Sequence, residues 1–145
     1  MRISSNFSTE ELCHSETAEK YGIINQITTF EQRDAMFALV RKVLQPLRDL
    51  WGKPIDIKSG FVSPTLNEKE GGKATEQMMK GEAVEIAPGS NEATGKMLRL
   101  IRETDIWDEI DQCVVYGTSI YVSHRRVGKQ RQQIIYDKSY KGKRL

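Results

Sequence analysis

Apolar side chains at Met36, Val40, Val43, Leu44, Leu47 and Leu50 recur at three- and four-residue intervals. That spacing lines them along one face of a helix that runs to about Trp51. Thr29-Phe30-Glu31-Gln32 has the form of a capping box, so the helix is predicted to begin there. Gly52-Lys53-Pro54 ends it, because glycine can cap a helix and proline cannot continue one. Ser8-Thr9-Glu10-Glu11 carries the same start signal for a short helical segment that includes Cys13 and His14.

Beyond Pro54 the pattern turns to short alternations. Ile55, Ile57 and Ser59 read as a strand, and Ser63-Pro64 as a cap with proline at the first helical position. The short helix that follows passes through Asn67 and Glu70 and stops at Gly71-Gly72. Residues 83–87 form a second predicted strand, and Asn91 caps a helix that turns Ala93, Met97, Leu98 and Ile101 inward. Residues 113–116, 119–125 and 132–136 then read as three successive strands, with turns at Gly117 and Gly128. Antiparallel strands beside segregated helices make an α+β domain: an antiparallel sheet with flanking helices. No repeat, linker or low-complexity segment divides the chain, so residues 1–145 read as one domain.

Composition adds little to that picture and charge adds more. The chain is 38% hydrophobic and 29% charged, ordinary for a globular protein. It has no apolar run near the roughly 20 residues that span a bilayer, and its N-terminal residues lack the apolar core of a secretory signal. The expectation is therefore synthesis in a cytoplasm and no membrane insertion. Two cysteines with no paired spacing fit a reducing compartment. The formal charge is +2, but the segment from His124 to Leu145 carries +7, leaving −5 elsewhere. Arg125, Arg126, Lys129 and Arg131 are the core of a candidate patch for a polyanion or protein partner. Neither motif nor aromatic interleaving points to nucleic acid, which is not an expected partner.

The stretch from Ile57 to Ile86, IKSGFVSPTLNEKEGGKATEQMMKGEAVEI, carries the most specific signal. Ser59-Gly60-Phe61-Val62-Ser63-Pro64-Thr65-Leu66-Asn67, Gly71-Gly72, the run from Glu76 to Glu85 and Ser119-Ile120-Tyr121-Val122-Ser123 together resemble the zinc D-alanyl-D-alanine carboxypeptidase family. Members of that family trim bacterial cell-wall peptides and also occur as lytic domains in bacteriophages. FSTEELCHSETAEKYGI and LQPLRDLWGKPIDI extend the likeness over nearly the whole chain. The resemblance implies a Hedgehog/DD-peptidase-like fold.

It also assigns positions. The family's metal histidines fall on Met78 and Tyr121, its metal aspartate on Glu85, its acid/base carboxylate on Thr118 and its substrate-gripping arginine on Val62. Hydrolytic zinc sites use three N, O or S ligands and an open position for water. Of these five residues only Glu85 is an ordinary ligand. His124 lies an odd number of residues from Tyr121 and should point away from it on a strand. Cys113 reads as a small buried hydrophobe. Cys13 and His14 have no ligand partner at motif spacing. The expectation is thus a pocket with no catalytic residue, metal or cofactor, filled by apolar bulk, in which a buried Glu85 needs Lys80 or the Tyr121 hydroxyl as partner. Hydrolysis would be absent and the fold used as a structural or interaction module. Its expected setting is a phage virion, with assembly proteins or further copies as partners. A non-cleaving binder of peptidoglycan peptides and a peptidase with an unusual metal site are the alternatives.

Overall fold

The computed structural model describes residues 1–145 as an α+β domain built on a five-stranded sheet. Helices α1 (Thr9–Cys13) and α2 (Glu16–Tyr21) come first, each with a serine cap: Ser8 accepts from the Glu11 amide and Ser15 from that of Ala18. The predicted long helix follows. It starts as α3 (Phe30–Leu39) with a complete capping box, in which Thr29 accepts from the Gln32 amide and Gln32 reaches back to the cap. It passes through a π-helical turn at Val40–Leu44 into α4 (Gln45–Trp51). The turn has a cause in the sequence, because Pro46 has no N–H to give the helix interior and the Gln45 amide reaches back five residues to the Val40 carbonyl. Gly52 closes the helix at φ +78°. The predicted stripe holds except at Leu50, which lies on the outer side of the last turn and is exposed.

The strands are β1 (Asp56–Ser59), β2 (Ala83–Ala87), β3 (Gln112–Val115), β4 (Ile120–Ser123) and β5 (Gln133–Tyr136), in the spatial order β1-β2-β4-β3-β5. Between them lie α5 (Pro64–Lys69), the single turn α6 (Glu76–Met79) and α7 (Asn91–Arg102). The α7 cap is Ser90 rather than Asn91; Met97, Leu98 and Ile101 face inward as predicted, with Thr94 buried in place of Ala93. Thr94 donates its hydroxyl to the Gly117 carbonyl, which permits its burial.

The sheet is antiparallel in all but one pairing. β5 runs parallel to β3, so residues 113–136 do not form a simple meander. The chain leaves β4, crosses the end of β3 at Asp111 and joins on the far side: the amides of Gln132 and Gln133 donate to the carbonyls of Ile110 and Asp111. Turn residues at Gly128 do suggest a hairpin, but a local turn signal cannot state which strand lies between.

Side-chain alternation sorts the sheet into two faces. Val84, Ile86, Ile120, Val122, Cys113 and Val115 pack with α3, α4 and α7 into the main core. Ala83 and Tyr121 look the other way and pack with Ala18, Val62, Leu66 and Met78 in a smaller cluster. The backbone before α5 is drawn tightly against α1: the Phe61 amide donates to the Leu12 carbonyl, and a Cβ on Gly60 would lie 2.1 Å from that same oxygen. Gly60→Ala should therefore destabilise the fold by about 2–3 kcal/mol, the range for overpacking a rigid site, with urea or thermal denaturation as the readout.

Candidate functional site

Four of the positions singled out in the sequence, Met78, Glu85, Tyr121 and Val62, converge on the smaller-cluster face of the sheet. α6 presents Met78 there because Thr75 caps the turn, its hydroxyl accepting from the Met78 amide. The register then sets Glu85 of β2 opposite Tyr121 of β4, and Tyr121 opposite Val114 of β3. Val62 enters from the segment before α5. Met78, Tyr121 and Val62 are all buried and share one apolar cluster with Leu66, Ala18 and Ala83. Bulk therefore fills the centre of this face, as the two side-chain types imply.

The polar atoms in this layer have partners. The Tyr121 hydroxyl lies 2.8 Å from Thr75 Oγ1. Burial, ahead of the neighbouring Asp111 and Glu82 charges, pushes the Tyr121 phenol above its ordinary value, so it stays protonated near neutral pH. Glu85 accepts from Ser119 Oγ at 2.6 Å and pairs with Lys58 Nζ at 3.3 Å. This corrects the expectation for Glu85: Lys80 is drawn to Glu76, one helical turn back at 3.0 Å, and the Tyr121 hydroxyl to Thr75. Ser119 immediately precedes β4, two residues before Tyr121, and Lys58 comes from the bulge in β1 between Ile57 and Ser59. A bulge of that kind leaves no pattern in the sequence. Lys58 is more than half exposed, so the pair adds little stability beyond neutralising the carboxylate. Thr118 sits exposed on the turn between β3 and β4.

Lys58 also divides the space around the site. Clefts of about 380 and 530 Å³ flank it, the first reaching Val62 and Leu66, the second Glu85, Tyr116, Thr118 and Ser119. A larger cleft, about 820 Å³, lies elsewhere, between α1, α2 and the start of α3.

One constellation went unnoticed in the sequence. Asp111, at the foot of β3, is fully buried and receives Arg131 as a fork, Nε at 3.1 Å and Nη2 at 2.8 Å. The Arg131 amide and Gln77 Nε2 also donate to it. Burial pushes the Asp111 carboxyl up; the Arg131 side-chain and backbone bonds, the Gln77 amide and the Arg131 charge outweigh that and hold it below the usual carboxylate range. Arg125 lies 3.6 Å from the same carboxylate, and Arg126 pairs with Asp34 and donates its backbone amide to Glu82. Of the four residues in the candidate basic patch, only Lys129 forms no ion pair. Two carboxylates, Asp111 and Asp34, thus offset part of the charge of the patch, Asp111 serving two of its arginines.

The remaining candidates lie apart. His124, one residue beyond the end of β4, is buried with Nδ1 2.7 Å from the Glu109 carbonyl oxygen. His14 is exposed beside Glu19. Cys113 is fully buried in the main core, its thiol pushed up to about 12 by burial.

The model of the family described as Peptidase M15 matches residues 5–122. The chain belongs to the peptidase M15 family. Comparison with curated proteins finds no match. The match takes in α1 through β4, and so every element that shapes the site except the Arg131 fork. Zinc, the metal that M15 membership implies, does not fit the residues present. The set is a buried thioether, a hydrogen-bonded neutral phenol and a carboxylate already paired with Lys58. No three His, Cys, Asp or Glu side chains converge anywhere in this M15 chain.

Two predictions follow from these contacts. Met78→Ala should cost about 2–3 kcal/mol, as removal of a core side chain does, measurable by urea denaturation. Because the Asp111 pKa is lowered in the folded state, its contribution is complete above the unfolded carboxylate value near ~3.9 and is lost as pH falls through the folded value. Acid unfolding of the parent should steepen in that window. Asp111→Asn should be destabilised by about 3 kcal/mol at neutral pH, and its stability should fall less across the window.

Proposed function

We propose that this M15 chain works through its fold and surfaces, as a structural or binding module that does not hydrolyse peptide bonds. One observation carries the reading: where the resemblance expects two imidazoles and a guanidinium, Met78, Tyr121 and Val62 pack into a single apolar cluster. An apolar cluster offers a substrate neither an activated water nor a carboxylate grip. Thr118 has no proton to exchange near neutral pH at the acid/base position. Glu85, the one surviving ligand type, is supported by an internal cation instead of a metal.

The setting we infer is a bacteriophage particle, with virion proteins or further copies of the chain as partners. This rests on the resemblance to lytic domains carried by phages and on the retention of a folded scaffold around a filled pocket. Fold likeness supports such a setting only by analogy. Nothing in this reading calls for membrane insertion, and no helix is long and apolar enough to cross a membrane. A second reading, a non-cleaving binder of peptidoglycan peptides, is favoured by the clefts left on both sides of Lys58. The buried Val62 speaks against it, because no guanidinium is there to hold a peptide carboxylate.

Protein purified without chelator should carry no stoichiometric metal and should leave muropeptides uncut over long incubation. One zinc per chain together with chelator-sensitive cleavage would overturn the proposal and establish an unusual metal site. Retention on intact peptidoglycan without cleavage would select the second reading.

A further inference from the structure

The outer edge of β5 is open. β5 pairs only with β3, and in that parallel register Gln133, Ile135 and Asp137 direct their backbone groups toward β3: the amides of Gln133 and Asp137 donate to the carbonyls of Asp111 and Val115. Ile134 and Tyr136 therefore point their N–H and C=O groups outward, where no backbone or side-chain group of the chain meets them. The C-terminal segment does not cover this edge. It turns back toward the helix layer, the Lys141 amide donating to Asn91 Oδ1 and the Leu145 amide to the Tyr136 hydroxyl.

Ile135 makes the edge apolar. It stands opposite Val114, and so continues the row Glu85, Tyr121, Val114 across the site face to the rim of the sheet. There it is 48% exposed, whereas Ile134 and Tyr136 turn into the main core.

We propose that β5 is a self-association edge, joined antiparallel to the β5 strand of a second copy about a two-fold axis at Ile135. The geometry selects this register. Residues paired across an antiparallel ladder must both point outward or both inward. Centring on Ile135 sets Ile134 against the partner's Tyr136 and Tyr136 against the partner's Ile134, so every free backbone group of the edge is used. Ile135 then meets its own copy as a non-hydrogen-bonded pair, in which side chains are closest. The register sets no like charges directly opposite: Gln133 faces the partner's Asp137 and Gln132 faces the partner's Lys138. Arg131, at the start of the strand, falls two positions from the partner's Asp137. The product is one ten-stranded sheet with both site faces on the same side. A second copy fits better than a foreign strand because the edge complements itself about one residue. The inference does not depend on whether the chain hydrolyses peptides.

Sedimentation equilibrium of the intact chain at rising concentration tests it, beside two cysteine variants in a Cys13→Ser background that leaves only the buried Cys113. The parent should pass from monomer to dimer, and Ile135→Lys should raise the dissociation constant by at least roughly tenfold while its circular dichroism and melting temperature hold. Under oxidant, Ile135→Cys should form a disulfide-linked dimer, since such pairs have Cα atoms about 4.5 Å apart. Gln133→Cys should not, because its copy lies about 13 Å away across the axis. A parent that stays monomeric throughout, a dimer unaffected by Ile135→Lys, or equal cross-linking of the two cysteine variants would overturn the proposal.

Discussion

A fully buried carboxylate has to be matched by donors wherever the chain places it, and Asp111 is the point from which the site side of this fold is tied together. Its fork to Arg131 holds the chain where it crosses the end of β3 on the way to β5, which joins parallel to β3 because β4 is already paired on both edges, with β2 and β3. Its bond from Gln77 anchors α6, the turn that carries Met78. Its own amide donates to the Ser123 carbonyl at the end of β4. Removing the carboxylate would leave the Arg131 fork and the Gln77 amide without their acceptor, and it would loosen three elements at once.

The pocket lies one layer above that anchor. Met78, Tyr121 and Val62 fill it, and the two polar atoms that remain are satisfied locally, Tyr121 by Thr75 and Glu85 by Ser119 and Lys58. A vacated metal site would be expected to leave polar groups without partners, each costing about 1–3 kcal/mol. Here the replacements form a consistent set: apolar groups touch apolar groups, and the single carboxylate sits at the edge of the cluster where a lysine can reach it. Such consistency is what a stable fold requires, and in the proposed reading it replaces the donor set that zinc hydrolysis needs.

Much of this was legible in the sequence, for identifiable reasons. The stripe of α3 and α4, the Thr29 capping box and the alternation of β2 depend on neighbours within a turn or two, and local chemistry writes them directly into residue order. The filled pocket was legible because Met78, Tyr121 and Val62 are bulky and apolar at aligned positions. What escaped was non-local. The parallel placement of β5 depends on β4 lying between β2 and β3, which leaves β4 no free edge, and the Glu85 partner on a bulge in β1 that brings Lys58 within reach. The pairing of Arg125 and Arg131 with Asp111 and of Arg126 with Asp34 escaped in the same way, because a run of like charges does not reveal the carboxylates folded against it. The π-turn at Val40–Leu44 could have been anticipated from Pro46, which removes a donor in mid-helix.

The account stands or falls on whether the cluster around Met78 and Tyr121 has given up the metal. The direct measurement is the melting temperature of the chelator-treated chain titrated with zinc, since a ligand that binds only the folded state must raise it. The account predicts no saturable rise, and the same curve for the parent and for Glu85→Ala. A saturable rise at one zinc per chain that Glu85→Ala abolishes would contradict it.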